Sequence, residues 1–226
     1  MQQPHGHGET AGEPHRPVQG KFAVLLPLIF LNLVVSGFGD YHPLLRSATL
    51  WFAAGLLVLA LYASDVGRAL SFTVGLLVLV AAMAWSLALM HQGWIQIVVV
   101  AGFNALTALA PIAILRKVHK EFTREGVDVE VILGTLCAYL YIGSWFSIIY
   151  RSVEILTNSP FFAQPDSERI LNYLYFSFIT LTTTGYGDLS PAYGPGRMIA
   201  VVEAVIGQLY LVSVVAVVVS AFRKDR

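Results

Sequence analysis

Six stretches of this chain are apolar for long enough, or nearly long enough, to cross a bilayer, and this restricts its fold more than any other feature. A bilayer core ~30 Å thick asks for ~20 mostly apolar residues per helical crossing. The stretches cover residues 22–38, 44–63, 70–90, 94–115, 129–150 and 197–222. The first is the shortest and carries Pro27. Hydrophobic residues make up 56% of the chain and charged residues 12%, about half the usual charged share of a soluble domain. That surplus needs lipid to face. Backbone N–H and C=O groups find no water there, so each crossing must satisfy its own hydrogen bonds as a helix. The expected fold is an all-α membrane protein with six transmembrane helices.

Basic residues orient such a chain, because cytoplasmic loops hold more of them. With the N-terminus inside, ten of the fourteen Lys and Arg fall on the cytoplasmic side; Arg46, Arg151, Arg169 and Arg197 fall outside. Both termini are therefore expected in the cytoplasm of a multi-pass plasma-membrane protein, which requires an even number of crossings. Residues 1–20, rich in His, Gly, Pro and Gln, read as a disordered cytoplasmic tail and not as a signal peptide. Residues 21–116 read as a four-helix bundle. The charged segment 117–130 reads as a cytoplasmic linker, and 131–226 as a helix–loop–helix unit. The formal net charge is zero, which argues against a nucleic-acid partner. The single cysteine, Cys137, excludes an intrachain disulfide and reads as a core residue.

One apolar stretch, residues 170–182, is too short to span and suits a re-entrant helix. A glycine-bearing strand follows at once: Thr183-Thr184-Gly185-Tyr186-Gly187-Asp188. Irregular backbone at membrane depth is tolerated only where protein or a water-filled cavity satisfies it. Stripping water from a cation is costly unless oxygens replace its hydration shell. A strand can supply them by aiming successive carbonyls at one axis, which needs alternating conformations, some with φ > 0. Gly185 and Gly187 bracket Tyr186 at that spacing. One strand builds one side of a cage, so a closed site implies a cyclic homotetramer.

Residues 173–191, YLYFSFITLTTTGYGDLSP, resemble the pore helix and selectivity filter of the potassium channel superfamily. The resemblance implies that the carbonyls of Thr183, Thr184, Gly185 and Tyr186 hold dehydrated K+, the permeating ligand, with the Thr183 hydroxyl at the inner end. It implies that Gly187 and Asp188 support the outer end. Thr184 departs from the usual valine or isoleucine, so its hydroxyl needs a partner behind the strand. Tyr186 argues for potassium over sodium. Tyr173, Tyr175 and Phe176 are expected to form an aromatic cuff around the strand. The segment 197–222 resembles the family's inner helix. Gly207 then falls at the position of a possible gating hinge, with close helix packing as the other reading. Glu203, an ionisable group at membrane depth, is expected to support the filter from behind by bonding the pore helix or the hydroxyls of Thr182 and Thr184.

Six helices with the pore last resembles the voltage-gated layout, yet residues 94–115 contain no Lys or Arg. The bundle is therefore expected to be sensor-like without sensing voltage. No nucleotide-binding or calcium-binding cytoplasmic domain is expected after the sixth stretch. The reading is passive potassium conduction with no covalent chemistry, no enzyme activity and no cofactor, in contact with membrane lipids. The alternatives are a non-selective cation channel and a non-conducting regulatory membrane subunit.

Overall fold

The computed structural model describes residues 20–37, 43–65, 73–77, 94–165 and 169–224. Regular structure among them is helical, apart from one isolated antiparallel bridge between Phe162 and Pro191. The helices are α1 (Lys21–Ser36), α2 (Pro43–Ala63), α3 (Trp94–Glu125), α4 (Val129–Thr157), α5 (Ile170–Leu181) and α6 (Gly194–Lys224). Residues 73–77 are also helical. The rest of the expected third crossing, 70–90, and all but Gly20 of the expected tail, 1–20, lie outside the described residues. Among the described residues, three segments are long and apolar enough to cross a membrane: Gln96–Arg124, Val129–Thr157 and Gly194–Val214. Lys21–Ser36, Phe52–Ala63 and Ile170–Leu181 are shorter apolar helices.

The linker expected over 117–130 is mostly helix. α3 runs on through the charged residues to Glu125, leaving only Gly126, Val127 and Asp128 before α4. The reason is local. Lys, Arg and Glu are strong helix formers, and Lys117 pairs with Glu121 one turn on at 3.4 Å. Gly126 stops the helix with φ +85, and its N–H still reaches the Phe122 carbonyl. Glycine is the usual residue for that left-handed stop. Asp128 then begins α4, its side chain accepting from the Val129 N–H at 2.7 Å. Asp65, beyond the end of α2, ties this region together. It binds Lys21 of α1 at 2.6 Å and Lys117 of α3 at 2.5 Å. Partial burial acts to raise the Asp65 carboxyl, but the hydrogen bonds and charges of Lys117 and Lys21 outweigh it and hold it below the usual carboxylate range.

Helix α4 belongs to two cores. Cys137 and Ala138 near its start are fully buried against Phe22, Leu25, Ala60 and Ile114 from α1, α2 and α3. Ile142, Phe146 and Tyr150 further on pack against Tyr173, Phe176, Ile179 and Leu181 of α5 and against Phe161 and Phe162. Association between helices in lipid gains little from the hydrophobic effect and depends on close packing and interhelical hydrogen bonds. Both are present. A Cβ on Gly143 would meet the Phe178 and Leu181 side chains at 3.0 and 3.1 Å. Tyr141 donates to the Leu56 carbonyl at 2.7 Å, and Trp145 to the Asn104 carbonyl at 3.0 Å. Phe22, at the start of α1, gives its backbone N–H to Glu130 at 2.9 Å.

Candidate functional site

The strand expected to be the filter begins where α5 ends, and the end of α5 sets its shape. The Thr183 N–H donates to the Thr180 carbonyl at 2.9 Å. Those of Thr184 and Gly185 both turn back to the Ile179 carbonyl, at 2.8 and 3.1 Å. Three successive N–H groups are thus spent on the last carbonyls of the helix, which would otherwise lack partners. The carbonyls of Thr183, Thr184, Gly185 and Tyr186 accept no hydrogen bond among the described residues. Backbone handedness alternates along the strand: Thr183, Gly185 and Gly187 have φ of +57, +52 and +80. Gly185 and Gly187 thus take the conformations that the expected carbonyl geometry requires. Thr183 is a β-branched residue in the left-handed region, which costs ~1–2 kcal/mol, and its bonded N–H helps to hold it there.

Behind the strand, the Thr184 hydroxyl lies 2.9 Å from that of Thr182, and Thr182 donates to the Phe178 carbonyl at 2.7 Å. Thr184 therefore donates to Thr182, which supplies the partner its hydroxyl needs. Tyr175 stacks on Tyr186, the rings 4° from parallel with centroids 6.5 Å apart, and donates to Asp188 at 2.8 Å. The expected cuff needs correction here. Tyr173 and Phe176 lie on the opposite side of α5, buried against Tyr150, Phe161 and Phe162. The cause is helical spacing: at 100° per residue, Tyr175 points roughly 200° away from Tyr173.

The far end of the strand is tied down by backbone. Ala163 N–H donates to the Ser190 carbonyl and Ala192 N–H to the Phe161 carbonyl, both at 2.9 Å. Glu154, buried at the end of α4, accepts from the Phe161 N–H at 3.1 Å and from the side chains of Tyr173 and Arg151. A buried carboxylate needs such partners. This group orders the connection from α4 to α5, and residue spacing gave no sign of it.

Glu203 of α6 is fully buried. It bonds the Ser177 hydroxyl of α5 and the Tyr150 hydroxyl of α4. It does not bond Thr182 or Thr184. Ser177 also reaches the Gly143 carbonyl at 2.6 Å. Three helices, α4, α5 and α6, therefore meet at one carboxyl group. Gly207, one turn further along α6, lies against the end of α5: a Cβ there would come within 2.1 Å of the Leu181 carbonyl oxygen. Tyr139 donates to the same carbonyl at 3.2 Å. Close packing is thus what the structure places at Gly207. Tyr150, Ser177 and Tyr139 were not singled out from sequence. A buried acid invites a search for hydroxyl partners, but which of many it meets is a matter of tertiary register.

A protein-family model described as "Ion channel" matches residues 135–224, from α4 through α6. Protein LctB of Bacillus caldotenax is 37% identical over 93 residues, covering 38% of this chain and 67% of that protein. Protein LctB of Geobacillus stearothermophilus is 37% identical over 87 residues, covering 36% of this chain and 63% of that one. A potassium voltage-gated channel, subfamily A member 5, of Mustela putorius furo is 30% identical over 95 residues, 40% of this chain but only 14% of that channel. The chain thus spans about two thirds of the length of the LctB proteins and a small part of the voltage-gated one. No solved structure matches it. With the strand that follows α5 and these similarities together, this is an ion channel protein. The chain belongs to the potassium channel superfamily, and its ion channel domain is the segment from α4 to α6.

Proposed function

We propose that the chain is one subunit of a homotetrameric, potassium-selective channel that conducts passively across the plasma membrane. The observation that carries this reading is the strand from Thr183 to Gly187, with left-handed backbone at every second residue and its first N–H groups turned back into α5. Carbonyls freed in this way from four copies replace the hydration shell of a dehydrated K+. Thr183, Thr184, Gly185 and Tyr186 hold the ions. Gly187 and Asp188 hold the outer end, with Asp188 fixed by Tyr175. Glu203 positions the pore helix from behind.

The surfaces left open on one protomer support a tetramer. Tyr186 is 71% exposed. Along α6, Met198, Val201, Val205 and Leu209 are exposed. An inner helix that lines a shared axis would have this face toward its copies. In this reading six helices cross the membrane with both termini cytoplasmic, 21–116 form a bundle that does not sense voltage, and 131–226 form the pore domain. The C-terminal end of α5 faces the ion path, where the negative end of its dipole favours a cation.

The test is purified protein in liposomes under opposed potassium and sodium gradients. The expected reversal potential follows potassium and shifts strongly when the ions are exchanged. A reversal potential that ignores the exchange identifies a non-selective cation channel. No flux in repeated preparations identifies a non-conducting subunit.

A further inference from the structure

The contacts around Glu203 fix a proton count. Gly143 carbonyl, Ser177 hydroxyl, Glu203 carboxyl and Tyr150 hydroxyl form a chain of three oxygen–oxygen contacts, each within hydrogen-bonding range. Every such contact needs one proton between its oxygens, because two lone pairs at that distance repel. A carbonyl brings none; serine and tyrosine bring one each. With Glu203 ionised, only two protons serve three contacts. Ser177 could then satisfy Gly143 or Glu203, never both. With Glu203 un-ionised the count closes: Glu203 donates to Ser177, Ser177 donates to the Gly143 carbonyl, and Tyr150 donates to the second carboxyl oxygen.

The surroundings agree with a neutral acid. Glu203 and Ser177 are fully buried, as is Tyr150. Among the described residues no Lys, Arg or His forms an ion pair with Glu203. The groups facing it from α4 are Tyr150 and, further along, Tyr139, whose hydroxyl is given to Leu181. From α5 it is Ser177. The nearby charges, Arg151 and Glu154, are paired with each other and with Tyr173. An unpaired buried carboxylate would be very costly, and neutralisation is the usual escape.

We propose that Glu203 works as an un-ionised carboxylic acid, a proton-carrying latch that locks inner helix to pore helix to outer helix, and that losing its proton loosens the pore helix. Glu203 touches no ion; it is a positioning residue acting through Ser177. The functional consequence rests on the conducting role proposed above, but the protonation state does not. Raising the pH removes the third proton and breaks one contact in the chain, so conduction falls on the alkaline side. Glutamine reproduces the same pattern, its amide donating to Ser177 and its carbonyl accepting from Tyr150, with no proton to lose.

Infrared difference spectroscopy on the purified tetramer in potassium-containing vesicles reads the acid directly. At neutral pH the wild type should show the C=O stretch of an un-ionised carboxylic acid that Glu203→Gln lacks. Ser177→Ala and Tyr150→Phe should each shift that band, which keeps the test open should Glu203→Gln fail to assemble. Alkaline titration should replace the band by carboxylate bands while wild-type current falls, and Glu203→Gln should lose that alkaline fall. A wild-type minus Glu203→Gln spectrum with carboxylate bands alone at neutral pH would overturn the proposal. So would a band indifferent to both neighbouring substitutions. Because the spectrum needs no ion flux, a channel that fails to conduct leaves this result intact.

Discussion

Thr184 carries a hydroxyl where an apolar side chain of the same size would fill the same space. Its partner is Thr182, which is itself bonded to the Phe178 carbonyl, so the two threonines form a short chain running back into α5. Replacing Thr184 by Val removes the outer link and leaves Thr182 satisfied. The expected loss is that of one hydrogen bond, ~0.5–1.5 kcal/mol, with ion selectivity retained. Replacing Thr182 by Val is expected to be worse, because the Thr184 hydroxyl then loses its acceptor behind the strand. Thermal unfolding of the purified protein and bi-ionic reversal potentials measure the two effects. Equal destabilisation by both substitutions would contradict this order of donors. Thr184 as a residue in need of a partner could be read from the sequence. Thr182 as that partner was one of several candidates, Glu203 among them. Local geometry decided the choice: residues two apart across the end of α5 meet, whereas Glu203 faces a different side of that helix.

Helix α5 is held on three sides. Gly143 of α4 lets it approach, the Tyr150–Glu203–Ser177 group joins it to α4 and α6, and Gly207 of α6 sits against the carbonyl of its last residue. Gly207→Ala would drive a methyl group into the Leu181 backbone. Backbone at a helix end cannot step aside as a flexible side chain does. The substitution should cost ~1–3 kcal/mol by overpacking and disturb the strand that begins just beyond it. Gly102→Ala in α3 is the control, because a Cβ there meets nothing within 4 Å. It should be neutral or slightly stabilising, since Ala is the better helix former by ~1 kcal/mol. Melting temperatures of the purified protein should separate the two; equal melting would mean that the close approach at Gly207 is relieved. The existence of these helices was legible in the apolar runs, because length and composition decide what can sit in lipid. Their ends were less so. The charged stretch after residue 115 reads as a loop by polarity, yet its Lys and Glu residues favour helix, and only Gly126 stops it. The aromatic cuff failed for a similar reason, since three aromatics close in sequence cannot share one face of a helix.

Helix α4 joins the N-terminal helices to the segment that follows it: its first half packs into the core with α1, α2 and α3, and its second half packs against α5. Only Gly126 to Asp128 separates it from α3, so movement of α3 would reach the filter's support directly. Membrane voltage is poorly placed to drive that movement. One elementary charge crossing 100 mV is worth ~2.3 kcal/mol, and steep gating uses several charges per subunit. From Trp94 to Leu115, α3 carries no Lys or Arg. The first basic pair is Arg116 and Lys117, and Lys117 is engaged by Asp65 and Glu121. A charge just past the apolar stretch, held by two carboxylates, has little field to cross and two bonds to break first. The conductance of the reconstituted channel should therefore change only weakly with voltage, with no measurable gating charge. Asp65→Asn should leave that weak dependence as it is, because releasing Lys117 from one of its two carboxylates does not put a charge inside the membrane. The same substitution should lower stability by no more than ~1 kcal/mol, since Asp65 is 62% exposed and its ion pairs are screened by solvent. A steep conductance–voltage curve in the wild type would mean that another charged group moves through the field, and α3 would be the wrong place to look for it.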